Sequence, residues 1–200
     1  MWEWLKSLFT PKQPAPAIPP LPKKEEPAPV VVPPVVPPKK NNMLIASILT
    51  EANKHVGNHE QGGNNHGPQV KVYLGSLGMK EGAAWCMAFV QYIIRKVAKE
   101  LGVTLTIARS AGCMDTWNKS PKDLRLTKPE VGSVVIWKHK TSVYGHTGIV
   151  IAVDGDDFTT IEGNTGPGAG IVREGDGVYI KKRSIRGDGD MKVVGFLKVV

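Results

Sequence analysis

The chain has 200 residues, a formal charge of +8 and only two cysteines. A compact domain needs ~100 to 200 residues to bury a sufficient core, so this length holds one domain plus a tail, and two cysteines exclude a dense disulfide framework. The charge favours anionic partners such as nucleic acid, acidic lipids or envelope polymers. Lysine and arginine cluster only in the Pro-rich segment and at Lys181 to Arg183, without aromatic interleaving, which argues against nucleic acid.

The first nine residues, MWEWLKSLF, make an apolar patch too short for a bilayer that needs ~20 apolar residues. They lack the basic start, sustained apolar core and small-residue cleavage site of a secretory signal. A membrane toe-hold, a docking contact for an assembly and a frayed terminus are all compatible with them. Twelve of the 16 prolines then fall between Pro11 and Pro38, in a stretch with neither helical nor strand period. Such a stretch favours extended polyproline II and reads as a semi-rigid tether. The expected organisation is therefore an apolar segment plus tether over 1–42 and a folded domain over 43–200.

Within that domain the first half reads helical. MLIASILTEANKHVG carries Leu44, Ile45, Ile48, Leu49 and Ala52 at helical spacing, with Gly57 as a stop. GPQVKVYLGSLG, with Pro68 near its first turn, predicts a short second helix. AAWCMAFVQYIIRKVAKELG predicts the longest helix, its first half apolar on a wide arc through Met87, Val90, Ile94 and Val97. From Ser133 the pattern changes to β-branched runs: SVVIW, HTGIVIAV, DFTTIEGN, GVYIKKR and MKVVGFLKVV. Helices followed by about five antiparallel strands predict a segregated α+β domain, with the long helix covering the sheet.

Two residues of this pattern can carry chemistry together. Cys86 falls in the first turn of the long helix, where unpaired backbone N–H groups and the helix dipole stabilise an anion such as a thiolate. Taken alone, it reads more readily as a small buried hydrophobe. His146 stands at the start of the most apolar strand. Glu162 and Asn164 are two apart on the next strand and so share a face. An odd loop through Asp154 to Asp156, or a bulge of equal effect, puts His146, Glu162 and Asn164 on one face; a plain two-residue loop separates Glu162 from His146. In the favourable register Glu162 or Asn164 holds the imidazole by Nδ1 while Nε2 faces the thiol.

GAAWCMAFV, GHTGIVIAV and IEGNT, in that order, resemble the CHAP (cysteine, histidine-dependent amidohydrolase/peptidase) domain of bacterial and phage peptidoglycan hydrolases. EQGGNNHGPQVKVYLGSLG upstream is similar to members of the same family. The resemblance implies a papain-like fold with Cys86 as nucleophile, His146 as base, Glu162 orienting the ring and Asn164 as a supporting polar group. It implies amide hydrolysis through a thioester on peptidoglycan, as an N-acetylmuramoyl-L-alanine amidase or a stem or cross-bridge endopeptidase. Some CHAP enzymes bind calcium through aspartates ahead of the nucleophile, but HEQGGNNHGP offers only Glu60 among acids, so no metal or other cofactor is expected. His59 and His66 lack zinc-site spacing and read as loop histidines, Asn64 and Asn65 as cleft residues. Trp85 and Trp137 read as core before they read as a groove wall, and Cys113 as packing.

The expected state is a monomer with two free thiols. It is made in the cytoplasm and reaches the wall by lysis, in a phage particle or through a secretion machine. The alternative is a module of the same fold that binds peptidoglycan or a peptide without cutting it; a cysteine protease or transpeptidase acting on protein is a further one.

Overall fold

Four helices precede six strands in the computed structural model, which describes residues 40–200. Helix α1 (Lys40–Lys54) starts ahead of Met43 and buries Leu44, Ile48 and Ala52, one face at four-residue steps. Helix α2 (Pro68–Gly75) takes Pro68 into its first turn, where a missing N–H is no loss. Helix α3 (Cys86–Leu101) is capped at its far end by Gly102 in the left-handed region, φ 61°. Helix α4 (Cys113–Lys119) and strand β1 (Arg125–Leu126) had no counterpart among the predicted elements, being too short to show a period.

Strands β2 (Val134–His139), β3 (Gly145–Asp154), β4 (Asp157–Thr165), β5 (Gly177–Ser184) and β6 (Met191–Leu197) match the five β-branched runs. With β1 they form one antiparallel sheet in the order β1-β6-β2-β3-β4-β5. The chain is thus α+β and papain-like, its N-terminal helices packed on an antiparallel sheet. Ile136, Ile149, Ile161 and Val178 join α1, α2 and α3 in the main core. The approach of α3 to β4 depends on Gly163, where a Cβ would stand 2.7 Å from the Trp85 ring and 2.9 Å from Phe89. The other face carries a smaller cluster of Val135, Trp137, Val150, Phe158 and Phe196. Trp85 and Trp137 are both buried, as core residues.

The β3–β4 hairpin decides which side chains meet. Asp154 pairs with Asp157, so its loop is the two-residue Gly155–Asp156 turn, and of the two expected alternatives, odd loop or bulge, it is the bulge that is found. The register then shifts between Val150 and Ala152, leaving Ile151 as the extra residue of a β-bulge, after which Val150 pairs with Thr160 and Ile149 with Ile161. Carried one step on, that register sets Gly148 against Glu162, and a Cβ at Gly148 would lie 2.6 Å from Glu162 Cγ. His146 pairs with Trp137 on the neighbouring strand, so ring and carboxylate share the face of the smaller cluster. The bulge has the effect that an odd loop would have had.

Among the described residues no helix is long and apolar enough to cross a membrane. The apolar segment 1–9 and the Pro-rich tether lie outside the described residues.

Candidate active site

Cys86 is the first residue of α3, with Trp85 as its N-cap. Its own N–H belongs to the first turn, where no intrahelical acceptor exists. Cys86 is 8% exposed and lines a cleft of about 930 Å³, whose lining also includes Asn64, Tyr144, Ile171 and Arg173. His146 and Cys86 line the same cleft where the start of α3 meets the start of β3, and each shifts the titration of the other. The imidazole also stacks on Trp137, ring centres 5.7 Å apart.

The ring is turned the opposite way from the sequence expectation. Nε2 donates to Glu162 Oε2 at 2.9 Å, which leaves Nδ1 for the thiol. Glu162 has no exposed surface, yet four donors converge on it. Besides Nε2, Arg183 Nε and Nη2 reach its two oxygens at 2.8 and 2.7 Å, and Thr160 Oγ1 donates at 2.6 Å. A two-pronged guanidinium contact of this kind fixes the carboxylate in the plane as well as in charge.

These contacts settle the charge states. Burial pushes the Glu162 carboxyl up, but hydrogen bonds from Arg183 and His146 and their positive charges outweigh it and hold the group at about 2. Burial pulls His146 down, and its bonds to Cys86 and Glu162 with their negative charge lift it to about 9. For Cys86 the Cys113 thiol is the largest influence and lowers it. Burial opposes; His146 and the Met87 N–H add to the lowering, and the net position is well below an ordinary thiol. Both shifts favour the thiolate–imidazolium form of the pair.

Asn164 does not touch the ring. Its backbone is left-handed, φ 55°, and the β4–β5 register shifts between Glu162 and Thr165, so strand alternation fails at this residue. Its Oδ1 accepts from the Trp85 N–H at 3.1 Å, and its Nδ2 donates to Asn65 Oδ1 at 3.1 Å and to the Gly175 carbonyl at 3.0 Å. Glu60 extends this network, accepting from the Trp85 indole at 2.8 Å and from the Asn65 N–H at 2.8 Å. Asn164 thus steadies the start of α3 and the cleft loop around Asn65. Asn64 and Asn65 both line the cleft.

Three participants went unnoticed in the sequence. In the sequence Arg183 and Lys181 stand out only as a basic cluster without aromatic interleaving, although their two-residue spacing on a strand puts both on the face of Glu162. Both are buried, and Lys181 donates to the carbonyls of Gly166 and Gly168. Cys113, read as packing, has its Sγ 3.9 Å from that of Cys86. His59 and His66 sit in loops, His66 Nδ1 bonded to the Asn64 carbonyl at 2.6 Å. Among the described residues no three His, Cys, Asp or Glu side chains are grouped to hold a metal ion.

Residues 78–164 match the family model of the CHAP domain. The matched segment runs from just ahead of α3 to Asn164 and so contains Cys86, His146, Glu162 and Asn164, while Arg183, Glu60 and Asn65 lie outside it. Among solved structures the chain is similar to Ly7917, at 18% identity and a TM-score of 0.45, covering 78% of this chain and 62% of that one. It is also similar to the wild-type endolysin LysIME-EF1, at 15% identity and a TM-score of 0.44, covering 78% of this chain and 64% of that one. The chain thus spans less than two thirds of either. No curated protein matches it.

Proposed function

We propose that residues 43–200 are a cysteine-dependent amidohydrolase that cleaves an amide bond of peptidoglycan, as a muramoyl-alanine amidase or as a stem or cross-bridge endopeptidase. The observation that carries this reading is the run from Cys86 and His146, which line the cleft, to the buried Glu162 behind the ring, all within the segment matched by the CHAP model. The Cys86 thiolate attacks the carbonyl carbon, and the backbone N–H of Cys86 is one donor for the oxygen that gains charge. The His146 imidazolium gives its Nδ1 proton to the departing amine, leaving a thioester. Water then attacks the thioester as the neutral ring takes its proton, and the thiolate leaves. Glu162 keeps the ring in one orientation and steadies its positive charge, Arg183 keeps Glu162 ionised, and Asn164 positions the first turn of α3.

Purified sacculi incubated with the wild type and with Cys86→Ala provide the test. The wild type should release soluble fragments with new amine termini by mass spectrometry, and the variant none. His146→Ala should cost ~10²- to 10⁴-fold, the usual scale of general acid–base catalysis. Equal release by wild type and Cys86→Ala would remove the enzymatic reading and leave a binding module.

A further inference from the structure

We propose that Cys86 and Cys113 form a reversible oxidation site, in which Cys113 closes a disulfide onto Cys86 after a peroxide has oxidised it. The two sulfurs stand 3.9 Å apart, both as free thiols. A disulfide needs ~2.05 Å, so closure asks for a movement of about 2 Å, within reach of side-chain rotation and a small shift of a helix end. Each cysteine is the first residue of its helix, Cys86 of α3 and Cys113 of α4.

Both cysteines are nearly buried, but only Cys86 lines the cleft, and this sets the order of events. Cys86 opens on the cleft, whereas Cys113 is buried behind it, its Cβ packed where a side chain at Gly145 would come within 2.9 Å. A small oxidant entering the cleft meets Cys86 first. The Cys86 thiolate attacks one peroxide oxygen; the S–O bond forms, the O–O bond breaks, and hydroxide leaves to take up a proton as water. Cys86 is now a sulfenic acid. Cys113 then attacks Cys86 Sγ; the S–S bond forms, the S–O bond breaks, and the departing hydroxide takes the Cys113 proton as a second water. Two thiols and one peroxide give one disulfide and two waters.

The electrostatics favour this sequence. Cys113 is held well above an ordinary thiol, first by its hydrogen bond to Cys86, then by burial and by the Cys86 charge. The Cys86 charge and the bond to the thiolate are lost when Cys86 becomes a neutral sulfenic acid, so the upward push on Cys113 weakens while burial remains. A low-pKa thiol beside a resolving cysteine is the arrangement that escapes irreversible over-oxidation.

Hydrogen peroxide added to the full chain, followed by thiol alkylation and non-reducing peptide mapping, tests this. The wild type should yield one linked Cys86–Cys113 peptide, lighter by two hydrogens, and dithiothreitol should restore both free thiols. Cys113→Ser, nearly isosteric, should instead carry a sulfenic acid trapped by dimedone and then a sulfinic acid on Cys86 that dithiothreitol does not reverse. Cys113→Ala serves as a second variant should the serine disturb the fold. Absence of the linked peptide, or equal recovery of Cys86 in wild type and both variants, would overturn the proposal. The effect on activity rests on Cys86 being the nucleophile, but the linkage is read by mass alone. A chain that forms the disulfide yet releases nothing from sacculi therefore loses the hydrolase reading and keeps this one.

Discussion

Glu162 is a carboxylate with no exposed surface, and its ionisation depends on Arg183 and His146. Glu162→Gln removes one partner of a buried pair and leaves the guanidinium uncompensated, a change that costs about 3–5 kcal/mol. Urea denaturation should show that loss, while an exposed pair such as Lys119–Asp115 should contribute little when removed. The same contacts set a pH window. Glu162 falls from 4.5 to about 2 on folding, so its stabilisation is complete above 4.5 and disappears as pH drops through about 2. His146 rises from 6.5 to about 9, so its contribution is complete below 6.5 and is lost as pH climbs through about 9. For these two groups the thermal midpoint should therefore peak between pH 4.5 and 6.5. Activity should follow a different curve, because it needs thiolate and imidazolium together: its acid limb should lie well below the range of an ordinary thiol and its alkaline limb near 9. Iodoacetamide alkylation of Cys86 against pH should place the acid limb independently.

At the scale of elements, α3 and the β3–β4 hairpin bring the site together through close contacts at glycine. Gly163→Ala should wedge Trp85 and Phe89 away from β4 and lower both stability and activity. Gly148→Ala should chiefly displace Glu162, and activity on sacculi should fall further than the urea midpoint does. Much of this level was legible in the sequence. The 3.6-residue period located α1 and α3, the β-branched runs located five strands, and counting residues between His146 and Glu162 required a correction to a plain two-residue turn. Which correction was used was not legible, because a bulge at Ile151 and an odd loop give the same facing. Asn164 went astray because alternation presumes extended backbone, and a left-handed residue ends it. Arg183 was missed because a basic residue on a strand ordinarily faces water; only the buried acid opposite explains it.

For the molecule as a whole, the described fold from residue 40 onward holds all the residues to which the proposed chemistry is assigned. We take residues 1–39 as a tether with an apolar tip; their removal should leave hydrolysis of isolated sacculi unchanged, and a large loss would place them in the catalytic unit. Inside the fold, residues 166–176 form one wall of the cleft and hang from β5 through main-chain oxygens: Lys181 holds Gly166 and Gly168, and Arg183 holds Ala169 at 2.7 Å with the same guanidinium that grips Glu162. Carbonyl anchors are blind to side-chain identity. The part of the wall next to β4 can consequently change side chains without losing its hold, whereas Gly175 is fixed because a side chain there would collide with the Thr165 main chain, and an insertion between Thr165 and Ala169 would carry the anchoring oxygens out of reach and slacken the grip on Glu162.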